Sequence, residues 1–483
     1  MIILVHINFS EDHSEKILPL GILSVGSALK KNGYEVKLIN INEKQIDDAV
    51  KKIVEMKPDY IGISVMTGVQ TAHSADFSKK LKKESNIPIL WGGIHPSLLP
   101  EQCIKEDYID YVICGEGEMT ILDFTEQFFG DRDFGRVLGL SYKKDGKIFN
   151  NSLRPLIENL DEWRLDFSLL DLNQFIFPLD KYKRVIAYKA SRGCPFGCGF
   201  CYNYQFNQSR WRAWSEETVL EDINFIKDKY RIDAIKFYDD NFFVNRERAL
   251  SLLKAINLPA HMEIRIDFID DVLASKLKEL KIFDMLIGLE SGSERMLQLI
   301  DKRFNVERLL QGVRSIAKHN LHATYSFIVG LPTETKADFE ATINLMSEVY
   351  KIHPRAGFTL GAYLPYPGSK LYEFSLTQGF IPPEKTEDWG KIDRFRKDFE
   401  SPWIDVKKVW VIRECFKILS WDFALLKKWF EFRIKHKFYL FPIDIYIVEF
   451  LAGIAIEEKG FFGKLLRQFY NVLRFRKKHA FGD

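Results

Sequence analysis

The sequence predicts an α/β protein in three parts. A doubly wound, flavodoxin-like parallel sheet is expected over residues 1–135. A connector at 136–180 leads into a partial (β/α)6 TIM-type barrel over 181–385, and a helical region follows over 386–483. Two observations carry this. Short β-branched runs alternate with amphipathic stretches twice, from Ile2 to Cys114 and again from Val185 to Leu364, and apolar strands separated by helices build parallel sheets covered on both faces. Between the two alternations Pro155 and Pro178 interrupt an irregular stretch in which helices are limited.

The length of 483 residues suits about three domains at ~150 residues each. With 46% hydrophobic and 28% charged residues the composition is globular, and 39 Phe suggest broad apolar surfaces. A formal charge of +2 lacks the strongly basic footprint of a nucleic-acid binder. Of the six cysteines, Cys103, Cys114 and Cys415 are scattered and the others lie within one stretch. That is no secreted disulfide framework, so a reducing, cytoplasmic setting is expected. The start, Met-Ile-Ile-Leu-Val-His, has no basic n-region and too short an apolar run for a signal peptide, and reads as a first buried strand.

In the first alternation, strands are expected at Ile2–Asn8, Val36–Asn42, Tyr60–Met66, Pro88–Trp91 and Tyr111–Cys114, with helices at Gly21–Lys31, Ile46–Met56 and Ala72–Lys83. Ligands of such sheets bind beyond the carboxyl ends of the strands. The residues there are Ser64 and Thr67, Gly92-Gly93-Ile94-His95-Pro96, and Gly115-Glu116-Gly117-Glu118. No G-x-G-x-x-G follows the first strand, which counts against a dinucleotide. Lys143-Lys144-Asp145-Gly146-Lys147-Ile148 reads as a hairpin with an Asp-Gly turn.

The second alternation supplies six strands, at Val185–Ala190, Ala234–Tyr238, Met262–Ile266, Phe283–Leu289, Ala323–Val329 and Ala356–Leu364. Barrels of this kind carry their chemistry at the C-terminal strand ends. Those ends hold Asp239-Asp240-Asn241, Arg265, Gly288-Leu289-Glu290-Ser291-Gly292-Ser293, and Phe327-Ile328-Val329-Gly330-Leu331-Pro332. Tyr363-Leu364-Pro365-Tyr366-Pro367-Gly368-Ser369 closes the sixth strand as a rigid turn or a substrate-side wall.

After the first barrel strand comes Cys194-Pro195-Phe196-Gly197-Cys198-Gly199-Phe200-Cys201. Three thiolates are too few for a closed tetrahedral zinc site, and no His lies between His95 and His261 to complete one locally. Soft thiolates suit an iron-sulfur cluster, and three of them on four irons leave one iron open.

This C-x3-C-x2-C spacing, with Phe200 before the third cysteine and Tyr202-Asn203 after it, resembles the radical S-adenosylmethionine (SAM) superfamily. The resemblance implies a 4Fe-4S cluster on Cys194, Cys198 and Cys201, with SAM on the open iron. One electron then cleaves the SAM C–S bond to give a 5'-deoxyadenosyl radical. By position it also implies that Asp239 and Asp240 receive the methionine amino group and Arg265 the carboxylate. Glu290 and Ser291 would meet the ribose, and Phe200 and Ile328 would contribute apolar contacts. Such a cluster is oxygen-sensitive, so an anaerobic host is expected, with a flavodoxin or ferredoxin as electron donor.

The N-terminal region looks like the cobalamin-binding domain preceding the radical SAM core in one subclass. Leu20-Gly21-Ile22-Leu23, Gly92-Gly93-Ile94-His95-Pro96 and Asp110-Tyr111-Val112-Ile113-Cys114-Gly115-Glu116-Gly117-Glu118 carry the likeness. It places cobalamin at Ser64, Thr67, Gly92, Gly93, Gly115 and Glu116. Other cobalamin enzymes carry Asp-x-His-x-x-Gly in the first loop, whereas the corresponding residues here are Glu11-Asp12-His13-Ser14-Glu15-Lys16, without the glycine, so His13 is not assigned to cobalt. The expected function is methylation of an unactivated carbon of a small-molecule or lipid substrate, with one SAM methylating cobalamin and a second supplying the radical. The alternatives are radical cyclisation or rearrangement without methyl transfer, as in anaerobic porphyrin ring closure, and a non-catalytic cobalamin or iron-sulfur carrier. A carrier leaves the SAM motifs without a task. Methylthiotransfer would need a second cysteine trio, which Cys103 and Cys114 cannot supply.

From Ser401 to Asp483 there are 16 Lys and Arg against nine Asp and Glu, with aromatics interleaved in Trp429-Phe430-Glu431-Phe432-Arg433 and again from Phe469 to Arg476. Pro442, Asp444 and Glu449 interrupt the apolar stretch 438–456, so a spanning helix is not expected. The region reads as a helical cap on the barrel or as a basic, amphipathic surface for peripheral membrane contact.

Overall fold

The computed structural model describes residues 1–8, 16–393, 399–419, 424–439 and 442–448. His13 and the basic-aromatic stretch from Phe469 to Arg476 lie outside the described residues. The chain forms two compact units. One comprises Met1–Glu263, Leu280–Ile282 and Leu364–Arg396, and the other Ile264–Glu279, Phe283–Tyr363 and the described residues from 399 onward.

The first unit begins with the doubly wound sheet: β1 (Ile2–Ile7), β2 (Val36–Ile41), β3 (Ile61–Ser64), β4 (Ile89–Gly92), β5 (Tyr111–Ile113), β6 (Leu140–Lys144) and β7 (Lys147–Asn150), ordered β2-β1-β3-β4-β5-β6-β7. The first five are mutually parallel. Every residue of β1 is buried, as a strand covered on both faces requires. The helix Ile46–Met56 shows why it covers one of them. Its buried Ile46, Ala49, Val50 and Ile53 recur at the i, i+3, i+4, i+7 spacing of one helical face, and they share a core with Ile3, Val5 and Ile63.

The Asp-Gly hairpin forms, with Asp145 at φ 50° and Gly146 at φ 72°, the left-handed pair that a tight two-residue turn needs. Its strands β6 and β7 add antiparallel to β5. The sheet therefore runs past residue 135, into the stretch expected to be connector. Beyond it, three single turns of 3-10 helix follow Asn159, Asp166 and Asp171, each capping with its side chain.

A late segment also joins this unit, although 386 onward was expected to open a separate helical region. The buried Trp389 indole donates to Gln102 Oε1 at 2.8 Å, the Thr386 amide donates to Glu106 Oε1 at 3.0 Å, and Asp393 accepts from the Val69 amide at 3.1 Å.

The barrel strands are shared between the units. The first holds β8 (Phe177–Leu179), β9 (Tyr182–Tyr188), β12 (Ala234–Phe237) and β13 (Ala260–Glu263) in the order β13-β12-β9-β8, and a separate ribbon of β10 (Ser191–Arg192) and β11 (Arg212–Ala213). The second holds β14 (Ile282–Glu290), β15 (Thr324–Val329) and β16 (Gly357–Ala362), all parallel. Alternate residues of β15 are buried, Tyr325, Phe327 and Val329, leaving Ser326 and Ile328 half-buried on the other face. The helix Val406–Leu419 packs along β16, with Phe416 and Phe358 ring centroids 5.4 Å apart. Among the described residues, no helix is long and apolar enough to cross a membrane.

Candidate active site

The ribbon β10–β11 pairs Ser191 with Ala213 and Arg192 with Arg212, and so closes the loop that carries all three clustered thiols. Gly193 enters it at φ 80°, where an added Cβ would lie 2.0 Å from the Arg210 carbonyl oxygen. Only glycine fits there. None of the six cysteines forms a disulfide, and Cys198 is buried while Cys194 and Cys201 are half-buried. The Cys201 amide donates to the Cys198 carbonyl at 3.0 Å, and Leu371 donates to the Gly199 carbonyl at 2.8 Å. Asn203 Nδ2 donates to Cys201 Sγ at 3.6 Å. Burial pushes the Cys201 thiol up to about 12. Among the described residues no three His, Cys, Asp or Glu side chains already surround a point that could hold a metal ion.

Two carboxylates at the end of β12 brace this loop from below. Asp240 accepts from the Gly193 amide at 3.0 Å, the Tyr202 hydroxyl at 3.0 Å and Asn203 Nδ2 at 3.1 Å, and pairs with Lys189 at 3.0 Å. Burial alone would raise its pKa, but the Lys189 charge and these donors outweigh it and hold the carboxyl below its ordinary value. Asp239 accepts from the Ala190 amide at 3.1 Å and from the Ser191 hydroxyl, and burial pushes its pKa up to about 6. Both residues were expected to face the methionine amino group. In the structure they anchor the loop.

The second unit gathers Arg265, Glu290 and Lys302. The Arg265 fork engages Asp267 at 3.0 and 3.1 Å and the Lys302 carbonyl at 2.8 Å, and Lys302 Nζ lies 2.8 Å from Glu290 Oε1. Sequence reasoning missed Lys302, which sits in a turn with no motif around it. Glu290 adopts φ 64° at a register shift in β14. Ser291 Oγ lies 2.9 Å from Thr342 Oγ1 and accepts from the Ser293 amide at 3.1 Å. Ile328 pairs in register with Gly361, and its half-buried face continues through Ser326, Gly288 and Thr359. An added Cβ at Gly361 would meet nothing within 4 Å, so the face is open there, whereas at Gly288 the Glu290 and Lys302 side chains cover it.

At the carboxyl ends of the N-terminal sheet, Ser64 is in register with Gly92. Its hydroxyl is enclosed, 2.9 Å from where a Cβ on Gly21 would sit and 3.2 Å from one on Gly93. Gly93 is at φ 98°, and a Cβ there would press on the Val65 amide nitrogen at 2.9 Å and its carbonyl oxygen at 2.8 Å. Ser97, not singled out from sequence, donates to the Gly93 carbonyl at 2.6 Å and accepts from the Gly115 amide at 2.8 Å. Gly115 itself has φ 82° and open space around its missing Cβ. Thr67 Oγ1 lies 3.1 Å from His95 Nδ1, while His95 Nε2 is buried without a hydrogen-bond partner. Burial alone lowers the His95 pKa to about 3. Glu116, read from the sequence as a cobalamin contact, engages Arg192, Arg212 and the Ile157 amide with its two oxygens.

The B12 binding domain model matches residues 14–124 and the Radical SAM superfamily model residues 188–346. An uncharacterised methyltransferase of Pyrococcus horikoshii is 32% identical over 77% of this chain and 81% of its own length. The chain belongs to the cobalamin-binding radical SAM family. The cytidylyl-2-hydroxyethylphosphonate methyltransferase of Streptomyces wedmorensis is 26% identical, over 83% of this chain and 84% of that one. An anaerobic magnesium-protoporphyrin IX monomethyl ester cyclase of Rubrivivax gelatinosus is 25% identical, over 74% of this chain and 66% of that one. In three dimensions the radical SAM enzyme OxsB, solved with aqua-cobalamin and SAM, shares the fold at a TM-score of 0.66 and 16% identity, over 98% of this chain and 75% of that one.

This radical SAM protein is thus an enzyme of a family whose cofactors are cobalamin, a 4Fe-4S cluster and SAM. Its residues suit them. Three unbridged thiols occupy one braced loop, and the donor set is that of iron-sulfur ligation. At Gly115 the backbone is left open to a large ligand.

Proposed function

We propose that this enzyme methylates an unactivated carbon of a small-molecule or lipid substrate. The supporting observation is that one compact unit holds both the glycine loops of the N-terminal sheet and the three-thiol loop, joined by the ion pairs of Glu116 with Arg192 and Arg212. Cofactors on those two elements act together. Bound, they supply one-electron cleavage of a C–S bond and a transferable methyl group.

The chain's own contribution is to hold and orient. Cys194, Cys198 and Cys201 would ligate three irons and leave the fourth to SAM. Asp240 and Asp239 keep the loop in place, Phe200 and Ile328 give SAM apolar contact, and Ser291 presents a hydroxyl at its strand end. Arg265 and Glu290, already paired with Asp267 and Lys302, would meet SAM by sharing those partners. Ser64, Thr67, Gly92, Gly93 and Gly115 would cradle cobalamin. Domain limits of 1–135, 181–385 and 386–483 go with this reading, with residues 140–150 and 386–393 packed as described above.

Two finer points belong to the same proposal. A flavodoxin or ferredoxin supplies the electron. The surface of the helix Ala424–Lys435 presents Trp429 and Phe432 exposed beside Lys428 and Lys435, a combination suited to the surface of an anionic bilayer.

Anaerobic turnover with methyl-labelled SAM, reductant, cobalamin and fractionated small-molecule and lipid extracts tests the main proposal. Methylation produces S-adenosylhomocysteine and 5'-deoxyadenosine together, with label in an extract component. Deoxyadenosine without S-adenosylhomocysteine would make the enzyme a cyclase or rearranging enzyme, and neither product would make it a carrier.

A further inference from the structure

Glu116 leaves the N-terminal sheet one residue after Gly115, and both its oxygens reach the ribbon that closes the thiol loop. Oε1 accepts from Arg192 Nη1 at 2.7 Å, and Oε2 accepts from Arg212 Nη1 at 2.6 Å and from the Ile157 amide at 2.7 Å. Glu116 and Arg212 are buried, where charge-assisted bonds to a planar guanidinium are strong and directional.

The bonding does not stop at Arg212. Its Nη2 donates to Asn207 Oδ1 at 3.2 Å, Asn207 Nδ2 donates to Asn203 Oδ1, and Asn203 Nδ2 donates to Cys201 Sγ at 3.6 Å and to Asp240 Oδ1 at 3.1 Å. Four side chains thus make an unbroken line from the N-terminal sheet to one thiol.

The backbone crossed by that line is strained. Gln208 and Ser209 are consecutive non-glycine residues at φ 52° and 51°, conformations that persist only where the surroundings over-determine them. Here the surroundings are the line itself, with the Ser209 amide donating to the Asn203 carbonyl at 3.1 Å and the Arg210 amide to the Asn207 carbonyl at 2.9 Å.

We propose that Glu116 is a positioning residue for the thiol loop, fixing Arg212 and, through Asn207 and Asn203, the orientation of the Cys201 thiol. A ligand settling on the Gly115 loop is then felt at Cys201 without touching it. The spectroscopic arm of the test rests on the reading of the thiols as cluster ligands, and the exchange arm does not.

The test compares full-length Glu116→Gln, Arg212→Lys and Asn207→Ala with the wild type. In metal-free protein, amide exchange at Ser209 and Arg210 is expected to quicken by about tenfold or more, the effect of losing roughly one buried charged hydrogen bond. After anaerobic reconstitution, the electron paramagnetic resonance line shape of the reduced cluster changes in each variant while iron per chain stays at the wild-type level. Asp222→Asn is the control, since Asp222 binds the Tyr188 hydroxyl and Arg164 outside the line, and it leaves both readouts unchanged. Folded variants with wild-type exchange and line shape would overturn the proposal. If Glu116→Gln does not fold, Arg212→Lys and Asn207→Ala decide it. A wild type that takes up no iron would refute the cluster reading, and the exchange arm would still decide the inference.

Discussion

Lys302 Nζ lies 2.8 Å from the Glu290 carboxylate, and both side chains are buried. Removing one partner of such a pair strands a charge and costs about 3–5 kcal/mol, whereas removing both costs far less. Lys302→Met is therefore expected to lower the urea midpoint strongly, and Glu290→Gln added to it to recover much of the loss. A double-mutant cycle measures the coupling, and additive losses would show the pair to be energetically idle.

The thiol assignment divides the six cysteines into two sets. Cys194→Ala, Cys198→Ala and Cys201→Ala should each abolish cluster uptake on anaerobic reconstitution, while Cys103→Ala, Cys114→Ala and Cys415→Ala, all at buried positions outside the loop, retain it. Iron per chain and the brown visible absorption are the measurements. Loss of iron in the second set with retention in the first would reverse the assignment.

His95 makes stability depend on pH. Its pKa is about 3 in the folded chain, lowered by burial, against ~6.5 unfolded. Between those values the unfolded chain binds the additional proton, so this group's contribution is full above pH ~6.5 and is lost as pH falls towards 3, by about 2 kcal/mol at pH ~5. Chemical denaturation of His95→Phe at the two pH values should show a drop smaller by that amount. An identical drop would mean that His95 takes up no proton on unfolding.

Gly93 and Gly115 separate two uses of a left-handed glycine. Gly93→Ala sets a Cβ against the Val65 backbone and should cost about 1–3 kcal/mol in strain, plus the clash. At Gly115 there is no atom for a Cβ to strike, so Gly115→Ala should destabilise less and still reduce cobalamin uptake, read from the visible spectrum of the gel-filtered complex. Uptake falling only in proportion to stability would remove Gly115 from the cobalamin site.

The basic, aromatic surface of Ala424–Lys435 predicts salt-sensitive binding to vesicles. The full chain should sediment with anionic liposomes at low ionic strength and detach as salt is raised, because surface attraction is screened within about 10 Å at 0.1 M. Trp429→Ala with Phe432→Ala should weaken the binding. Equal sedimentation with neutral vesicles, or none, would return this helix to the role of a cap.

What was legible in the sequence is what depends on neighbours in sequence. The parallel strands could be read because burial on both faces turns each into an apolar run, as in β1. The thiol loop could be read because its three cysteines fall within eight residues. Glu116 looked like one more polar strand end, because its partners Arg192 and Arg212 lie 76 and 96 positions away. No local periodicity encodes such a pairing. Lys302 was hidden for another reason: its partner Glu290 is near in sequence, but no motif surrounds the lysine itself. Strands β6 and β7 passed for connector because antiparallel strands joined by a hairpin add to a sheet edge without the crossover helix that marks a βα unit.

The Trp389 indole bonds Gln102 across 287 positions of chain, and this has a consequence for biosynthesis. At about 5–20 residues per second, translation leaves the N-terminal sheet waiting roughly 15–60 s for that partner. Throughout this interval Gln102, the Glu106 carboxylate and the Val69 amide face solvent or whatever holds the nascent chain. A fragment released before residue 386 keeps its five parallel strands and loses the clasp across them. Ribosome stalling between codons 180 and 386, or fragments cut to end there, would therefore yield an N-terminal domain that is complete in its strands but unlatched, and a natural client for chaperones.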